Sequence, residues 1–260
     1  MIASNRSYPS DVMSFKRHVY AVQRYVEFTQ AKYAPLLKSN VPTHPICCFG
    51  NPAQARVITI GVNPSVGEFD DHRWAAEAMP HNALAERCRT YFAAGAPAAP
   101  HSFFTPWREA LACLDVTYEA GQAVHLDLSP RATRYIRELR DAFEKELFLE
   151  MVQRDLWTFF GTLDLCSDAR LILIAGSVTG KYYINEFLQR FAPDHGWALA
   201  GAFDRRQHTG PGTTTRHELQ NSNRDLPVFF CSCGPAAANP ALLTTRICDN
   251  APALIELLEQ

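Results

Sequence analysis

No stretch of this chain approaches the roughly 18 consecutive apolar residues that a membrane-spanning helix requires. The opening residues Met1-Ile2-Ala3-Ser4-Asn5-Arg6-Ser7 lack the apolar core of a secretory signal, so an intracellular, cytoplasmic location is expected. Cys47, Cys48, Cys88, Cys113, Cys166, Cys231, Cys233 and Cys248 then read as reduced thiols rather than a disulfide framework. No cysteine pair has the doubled C-x-x-C spacing of a zinc site. Cys47-Cys48 with Cys231 and Cys233 comes nearest, but adjacent cysteines rarely ligate one metal, so none is expected. A phosphate loop is missing too. Gly176-Ser177-Val178-Thr179-Gly180-Lys181 has one residue too few between its glycines, and Tyr182 replaces the magnesium-binding hydroxyl. Strong charge of one sign is also lacking: the net charge of -2 argues against indiscriminate binding to nucleic acid.

What is present is apolar material in short runs. Hydrophobic residues make up 47% of 260, enough for a sizeable core, and no linker or repeat divides the chain, so one domain over 1–260 is expected. Residues 1–13 read as a loose N-terminal arm. Phe15, Val19, Val22 and Val26 then recur at helical spacing, giving a helix over roughly 14–38. Arg56–Val62, Ala123–Leu128, Arg170–Ala175 and Val228–Ser232 read as buried strands, with a further strand at Trp197–Phe203. Helices are predicted over 82–94, from Thr105-Pro106 to about Leu114, from Ser129-Pro130 through 165 as two pieces, over Thr179–Phe191, and from near Asn250. Phe103, Phe104 and Trp107 read as core. The alternation implies an α/β fold, three layers of α/β/α around a short, mostly parallel sheet. One segment stands apart: residues 205–224 carry Arg205, Arg206, Arg216 and Arg224 against the single Glu218, with His208 and His217 beside them. It reads as a basic loop.

In such sheets ligands bind beyond the carboxyl ends of the strands. Four strand ends pass abruptly from apolar to small or polar residues: Gly61–Ser65, Asp127–Pro130, Gly176–Gly180 and Cys231–Asn239. Gly61-Val62-Asn63-Pro64-Ser65 resembles the first motif of the uracil-DNA glycosylase superfamily, in its Gly-x-Asn-Pro-Gly/Ser form. His125-Leu126-Asp127-Leu128-Ser129-Pro130 sits where that family has a strand ending in a base-reading asparagine. Leu173-Ile174-Ala175-Gly176-Ser177 is similar to the family's third strand and its Gly-Ser turn. Cys233-Gly234-Pro235-Ala236-Ala237-Ala238-Asn239-Pro240 occupies the place of the final His-Pro-Ser-Pro loop. The resemblance runs from about residue 45 to 245.

The resemblance implies a DNA glycosylase that flips a nucleotide into a pocket and hydrolyses its N-glycosidic bond. Asn63 would hold the attacking water through its amide. Ser65, Gly176, Ser177 and the loop of Cys233, Gly234, Pro235 and Asn239 would surround the base, on which Phe69 would stack. Backbone N–H groups of Val66, Gly67 or Ser177 would receive charge on the departing base. Arg205, Arg206, Arg216 and His217 would follow the DNA backbone. No lysine stands beside the motifs except Lys181, so monofunctional hydrolysis without metal or organic cofactor is expected, by a monomer acting on DNA. Two departures narrow the substrate. Asp127 replaces the asparagine, and a carboxylate only accepts, which suits the exocyclic amine of a cytosine-derived base rather than uracil; it could also serve as a base. Cys231-Ser232-Cys233-Gly234-Pro235 lacks the histidine of the last motif, leaving backbone donors, His208 or His217 to stabilise the anionic base. A hydrolase of free nucleosides or nucleotides and a non-catalytic nucleic-acid-binding module remain the alternatives.

Overall fold

In the computed structural model, which describes residues 8–38, 44–70, 74, 79–96, 99–176, 184–200, 214–232 and 240–260, the apolar runs form the centre of the molecule. β1 (Val57–Gly61), β2 (Ala123–Asp127) and β3 (Leu171–Ala175) are buried along nearly their whole length. Runs this uniformly apolar suit strands covered on both faces. β6 (Asp225–Cys231) pairs with β3, and the order β2-β1-β3-β6 is parallel throughout. All four strands therefore end on one side of the sheet, at Gly61, Asp127, Ala175 and Cys231. β5 (Thr214–Gln220) and β4 (Ala198–Ala200) extend the other edge antiparallel.

Helices cover this sheet in two layers. α1 (Tyr8–Tyr33) buries Phe15, Val19, Val22, Val26 and Tyr33, a stripe at helical spacing, and packs on α5 (Ala142–Leu165), which also meets β2. α6 (Ile184–Phe191) follows β3 and touches α5 and β4. α7 (Ala241–Glu259) lies on β3 and β6 and against α4 (Thr105–Ala112). The one-turn α2 (Gly67–Asp70) and α3 (His81–Arg89) lie between β1 and α4 in the chain. The three-layer α/β/α expectation holds.

Several sequence-based expectations need correction. Helical backbone covers Tyr8 onward, with Pro9 in the first turn where its missing N–H costs nothing, so residues 8–13 of the predicted arm are helix and residues 1–7 lie outside the described residues. No helix starts at Ser129-Pro130. Leu128 N–H donates to Gly61 O (3.1 Å) and Ser129 N–H to Val62 O (3.0 Å), which draws the segment alongside β1 past the strand end. Helix α5 starts instead after Asp141, whose side chain accepts from Glu144 N (2.9 Å) as an N-cap. The last helix begins at Ala241, nine residues before Asn250, and carries Pro252 inside it.

The segment 205–224 is not wholly a loop. Residues 214–220 form β5, and Asn221 Oδ1 accepts from Asn223 N and Arg224 N to build the turn into β6. The thiol expectation fails for two residues, because Cys113 and Cys248 are joined as a disulfide between the end of α4 and α7. Cys47, Cys48, Cys88, Cys166 and Cys231 are buried and lie outside that disulfide, and no cluster of three metal-binding side chains occurs among the described residues.

Beyond β2 the chain is tied down by charge. Glu144 accepts from Arg140 N (2.6 Å), Arg134 Nη2 (2.7 Å) and Arg140 Nη2 (3.1 Å). The Arg140 amide first, and the Arg134 guanidinium next, hold its carboxyl down from 4.5 to about 2. A lowered folded value means that the contribution is present at neutral pH and fades as pH falls from about 4.5 toward 2. Glu144→Gln is expected to melt earlier than wild type at pH 7 and to match it near pH 2, in thermal unfolding across pH. An equal deficit at both ends would make the effect one of shape rather than charge.

Candidate functional site

Asn63 lies two residues past the end of β1, half-buried. Its Nδ2 donates to Thr133 Oγ1 (3.0 Å), Arg131 O (3.1 Å) and Pro64 O (3.2 Å). Two of these partners are carbonyls, which only accept, so the atom facing them must be the amide nitrogen. The carbonyl Oδ1 is thereby aimed the other way as a fixed acceptor. No proton need be gained or lost for it to hold a water.

The partner of that amide is itself pinned. Arg131 is buried, its Nε donating to Asp155 Oδ2 (2.9 Å), its Nη1 to Val26 O (3.4 Å) and its Nη2 to Thr29. Its guanidinium also lies over the rings of Tyr33 (4.9 Å) and Tyr25 (5.2 Å). Ser129 Oγ donates to the same Asp155 oxygen (2.7 Å), and a parallel bridge joins Ser65 to Thr133. The 129–133 segment is thus stapled to α5 on one side and to the Asn63 loop on the other.

Asp127 ends the neighbouring strand, at the same side of the sheet as Asn63 and in register with Gly61. It is 6% exposed. Its Oδ1 stands 3.5 Å from His125 Nε2. A Cβ on Gly61 would collide with Asp127 Oδ1 and stand 2.8 Å from His125 Nε2. The glycine that opens the first motif therefore has a local reason: it leaves room for this carboxylate–imidazole pair. His125 escaped the sequence reading because one histidine in an apolar strand looks like core. The usable signal was its spacing, since residues i and i+2 of a strand share a face.

The remaining predicted residues are less uniformly arranged. Ser65 Oγ accepts from Gly67 N (3.2 Å) and donates to Tyr135 OH (3.3 Å), so the Gly67 N–H is turned toward Ser65. Phe69, in α2, is 7% exposed, its ring centroid 6.3 Å from His44 and 6.1 Å from Trp74. Gly176 follows β3, donating to Cys231 O (3.1 Å), and among the described residues a Cβ there would meet Phe230 at 3.9 Å. Glu68 was not foreseen: it is buried beside the site and accepts from Tyr91 OH (2.5 Å), with His101 Nδ1 at 3.9 Å. Ser177, Cys233, Gly234, Pro235, Asn239, Arg205, Arg206 and His208 lie outside the described residues.

Of the predicted backbone-binding residues, only Arg216 and His217 are described, and these two do not share a face. Arg216 and His217 are consecutive in β5 and so point to opposite faces. Burial lowers the pKa of His217 from its ordinary 6.5, and its Nε2 contacts Thr215 Oγ1 (3.1 Å). Arg224 donates to Leu163 O (2.5 Å) and Cys166 O (2.6 Å) and lies 5.4 Å over the Trp197 ring. It satisfies the open carbonyls at the end of α5, a role helix C-termini give to cations.

Two outcomes are expected from this geometry. Arg131→Ala and Asp155→Ala should each cost about 3–5 kcal/mol in denaturant unfolding, because each leaves a buried charge alone, and the double variant should cost clearly less than their sum. Additive losses would mean that the two side chains contribute separately. Gly61→Ala should leave the fold intact while displacing the Asp127 carboxylate from His125, visible as shifted side-chain NMR resonances of both residues. Unchanged resonances would mean that the space beside Gly61 does not hold the pair.

Set against known proteins, the chain matches no protein-family model and no curated protein, so the reading of this site rests on its own residues.

Proposed function

We propose that this chain is a monofunctional DNA N-glycosylase that excises a deaminated or modified pyrimidine, with a cytosine-type base favoured over uracil. The observation that carries the proposal is the fixed amide of Asn63: nitrogen anchored on Arg131 O and Thr133 Oγ1, carbonyl oxygen directed away from those partners, one strand away from Asp127. A water donating one proton to Asn63 Oδ1 keeps a lone pair for C1′ of a flipped nucleotide. As the C1′–O bond forms, the C1′–N bond breaks and the base departs with the electron pair. The water's second proton leaves to solvent, or to Asp127 acting as acceptor. The same carboxylate accepts from an exocyclic amine and repels the acceptor edge of uracil. A base entering here would gain roughly 1–3 kcal/mol from stacking on an aromatic face, but Phe69, packed in the core beside His44 and Trp74, offers only 7% of its surface for that.

A second reading has one observation in its favour. Of the arginines in 205–224 that are described, Arg224 is spent inside the protein and only Arg216 is exposed, a thin footprint for a phosphate backbone. A hydrolase of free nucleosides needs no such footprint.

One experiment separates the readings. Wild type and Asn63→Ala are incubated with oligonucleotides carrying single modified bases, and with the matching free nucleosides, and abasic sites and released base are quantified. The expected result is excision from DNA by wild type, reduced on the order of 10²–10⁴-fold in Asn63→Ala at unchanged melting temperature, by analogy with other groups that position a reacting proton. Release from nucleosides alone would replace the glycosylase reading with the hydrolase. No release from either would overturn both.

A further inference from the structure

Behind Asp127 four side chains form a line through the sheet's apolar interior. β1 and β2 pair in the register Thr59↔His125 and Gly61↔Asp127, which sets all four positions on one face. Tyr118, in the turn before β2, completes the line. Thr59, Tyr118, His125 and Asp127 are all buried. Tyr118 OH lies 2.6 Å from Thr59 Oγ1, Thr59 Oγ1 lies 2.8 Å from His125 Nδ1, and His125 Nε2 lies 3.5 Å from Asp127 Oδ1. Phe49, Phe103 and Phe104 enclose the imidazole, with ring centroids 5.9, 5.4 and 5.3 Å away.

The protons of this line can be assigned from its ends. Burial pushes the Tyr118 phenol well above its ordinary value, so it keeps its proton. A buried O–H needs an acceptor, and Thr59 Oγ1 is the one within reach. Thr59 then has a single proton to give. Val124 O is 3.4 Å away and His125 Nδ1 is 2.8 Å away, so the proton goes to the imidazole. With Nδ1 accepting, the ring carries its own proton on Nε2, the atom facing Asp127. The hydrogen bonds run in one direction, Tyr118 to Thr59 to His125, and the ring's Nε2–H then faces Asp127 Oδ1 across a 3.5 Å electrostatic contact.

We propose that His125 is a positioning residue for the candidate site. Its Nε2–H draws Asp127 Oδ1 inward by electrostatic attraction across 3.5 Å, and Tyr118 and Thr59 fix the imidazole tautomer that presents this proton. Asp127 is thereby kept as an acceptor, with its second oxygen left for a donor on the ligand. That last step rests on the glycosylase reading; the tautomer does not. The inference names a determinant of base choice that lies behind Asp127, in the buried residues His125, Thr59 and Tyr118.

The test uses the full chain and two readouts. Long-range ¹H–¹⁵N NMR of the ring nitrogens, assigned by comparison with His125→Phe, gives the tautomer of the unliganded protein. The expected result at neutral pH is a protonated Nε2 and a bare Nδ1, with the Nε2–H resonance moving in Asp127→Asn. Thr59→Val should shift the ring toward the other tautomer, and Thr59→Ser, which restores the hydroxyl, should return it. A proton on Nδ1 in wild type would overturn the proposal, because a lone pair would then face the carboxylate. The second readout is the ratio of excision rates for cytosine-type and uracil oligonucleotides. A good base-edge contact is worth about 1–3 kcal/mol, so the ratio should fall by about fivefold to 150-fold in Thr59→Val and His125→Phe, and recover in Thr59→Ser. Equal ratios in all variants, with wild type active, would overturn the proposal. If wild type excises nothing while Nε2 carries the proton, the glycosylase reading fails and the tautomer still supports His125 as the group that holds Asp127.

Discussion

The buried pair of Arg131 and Asp155 is the contact on which the geometry of the site depends. Between them they hold a segment with no regular secondary structure beneath the strand ends, where backbone groups would otherwise lack partners. Asp155 reaches it from α5 through Arg131 and Ser129 together. The carbonyl of Arg131 in turn fixes the nitrogen of Asn63. An amide is only a useful acceptor when its orientation is settled, since free rotation would present donor and acceptor alternately. The ion pair accomplishes this at a distance, by immobilising the carbonyl rather than by touching Asn63. Buried pairs of this kind return little net stability against well-packed apolar residues, so their value lies in the arrangement they impose.

A parallel sheet supplies the rest. Because β2, β1, β3 and β6 run in one direction, each strand delivers its last residues to the same edge. The register then decides which of them meet. Gly61 opposite Asp127 leaves a gap that any side chain would close, and the carboxylate and imidazole occupy it. One missing Cβ thus links the first motif to the second. Neither motif explains the other until the strands are set side by side.

Much of this was legible in the chain. β1, β2, β3 and β6 were visible as continuous apolar runs because a strand covered on both faces has no polar face to interrupt it. Asn63 and Asp127 stood out because each ends such a run. The failures have equally physical causes. β5 is an antiparallel strand near the sheet edge with threonines, Arg216 and Glu218 along it, so its composition is that of a loop. Ser129-Pro130 carries the local signature of a helix start, but hydrogen bonds to Gly61 and Val62, residues distant in sequence, override it. Pro252 in α7 reads as a first-turn residue when the preceding helix is unseen. The Cys113–Cys248 bond depends on tertiary neighbours that no local pattern encodes, and for His125 the i, i+2 spacing to Asp127 gave a shared face but not the room beside Gly61.

The line from Tyr118 to Asp127 is hard to explain by stability alone. Its hydroxyls and imidazole sit in an aromatic box of Phe49, Phe103 and Phe104, where apolar side chains of similar volume would pack without polar atoms to satisfy. Replacing both members of a buried hydrogen bond by apolar groups can be nearly neutral, whereas losing one member strands the other at about 1–3 kcal/mol. A network of this kind therefore adds vulnerability without a matching gain in stability. What it does provide is direction, because the shortest contact of each donor leads to the next side chain and the line ends facing Asp127. In low dielectric such a chain is strengthened along its length. The physical return on burying these groups is an acceptor whose identity does not fluctuate, placed at the sheet edge where Asn63 presents another.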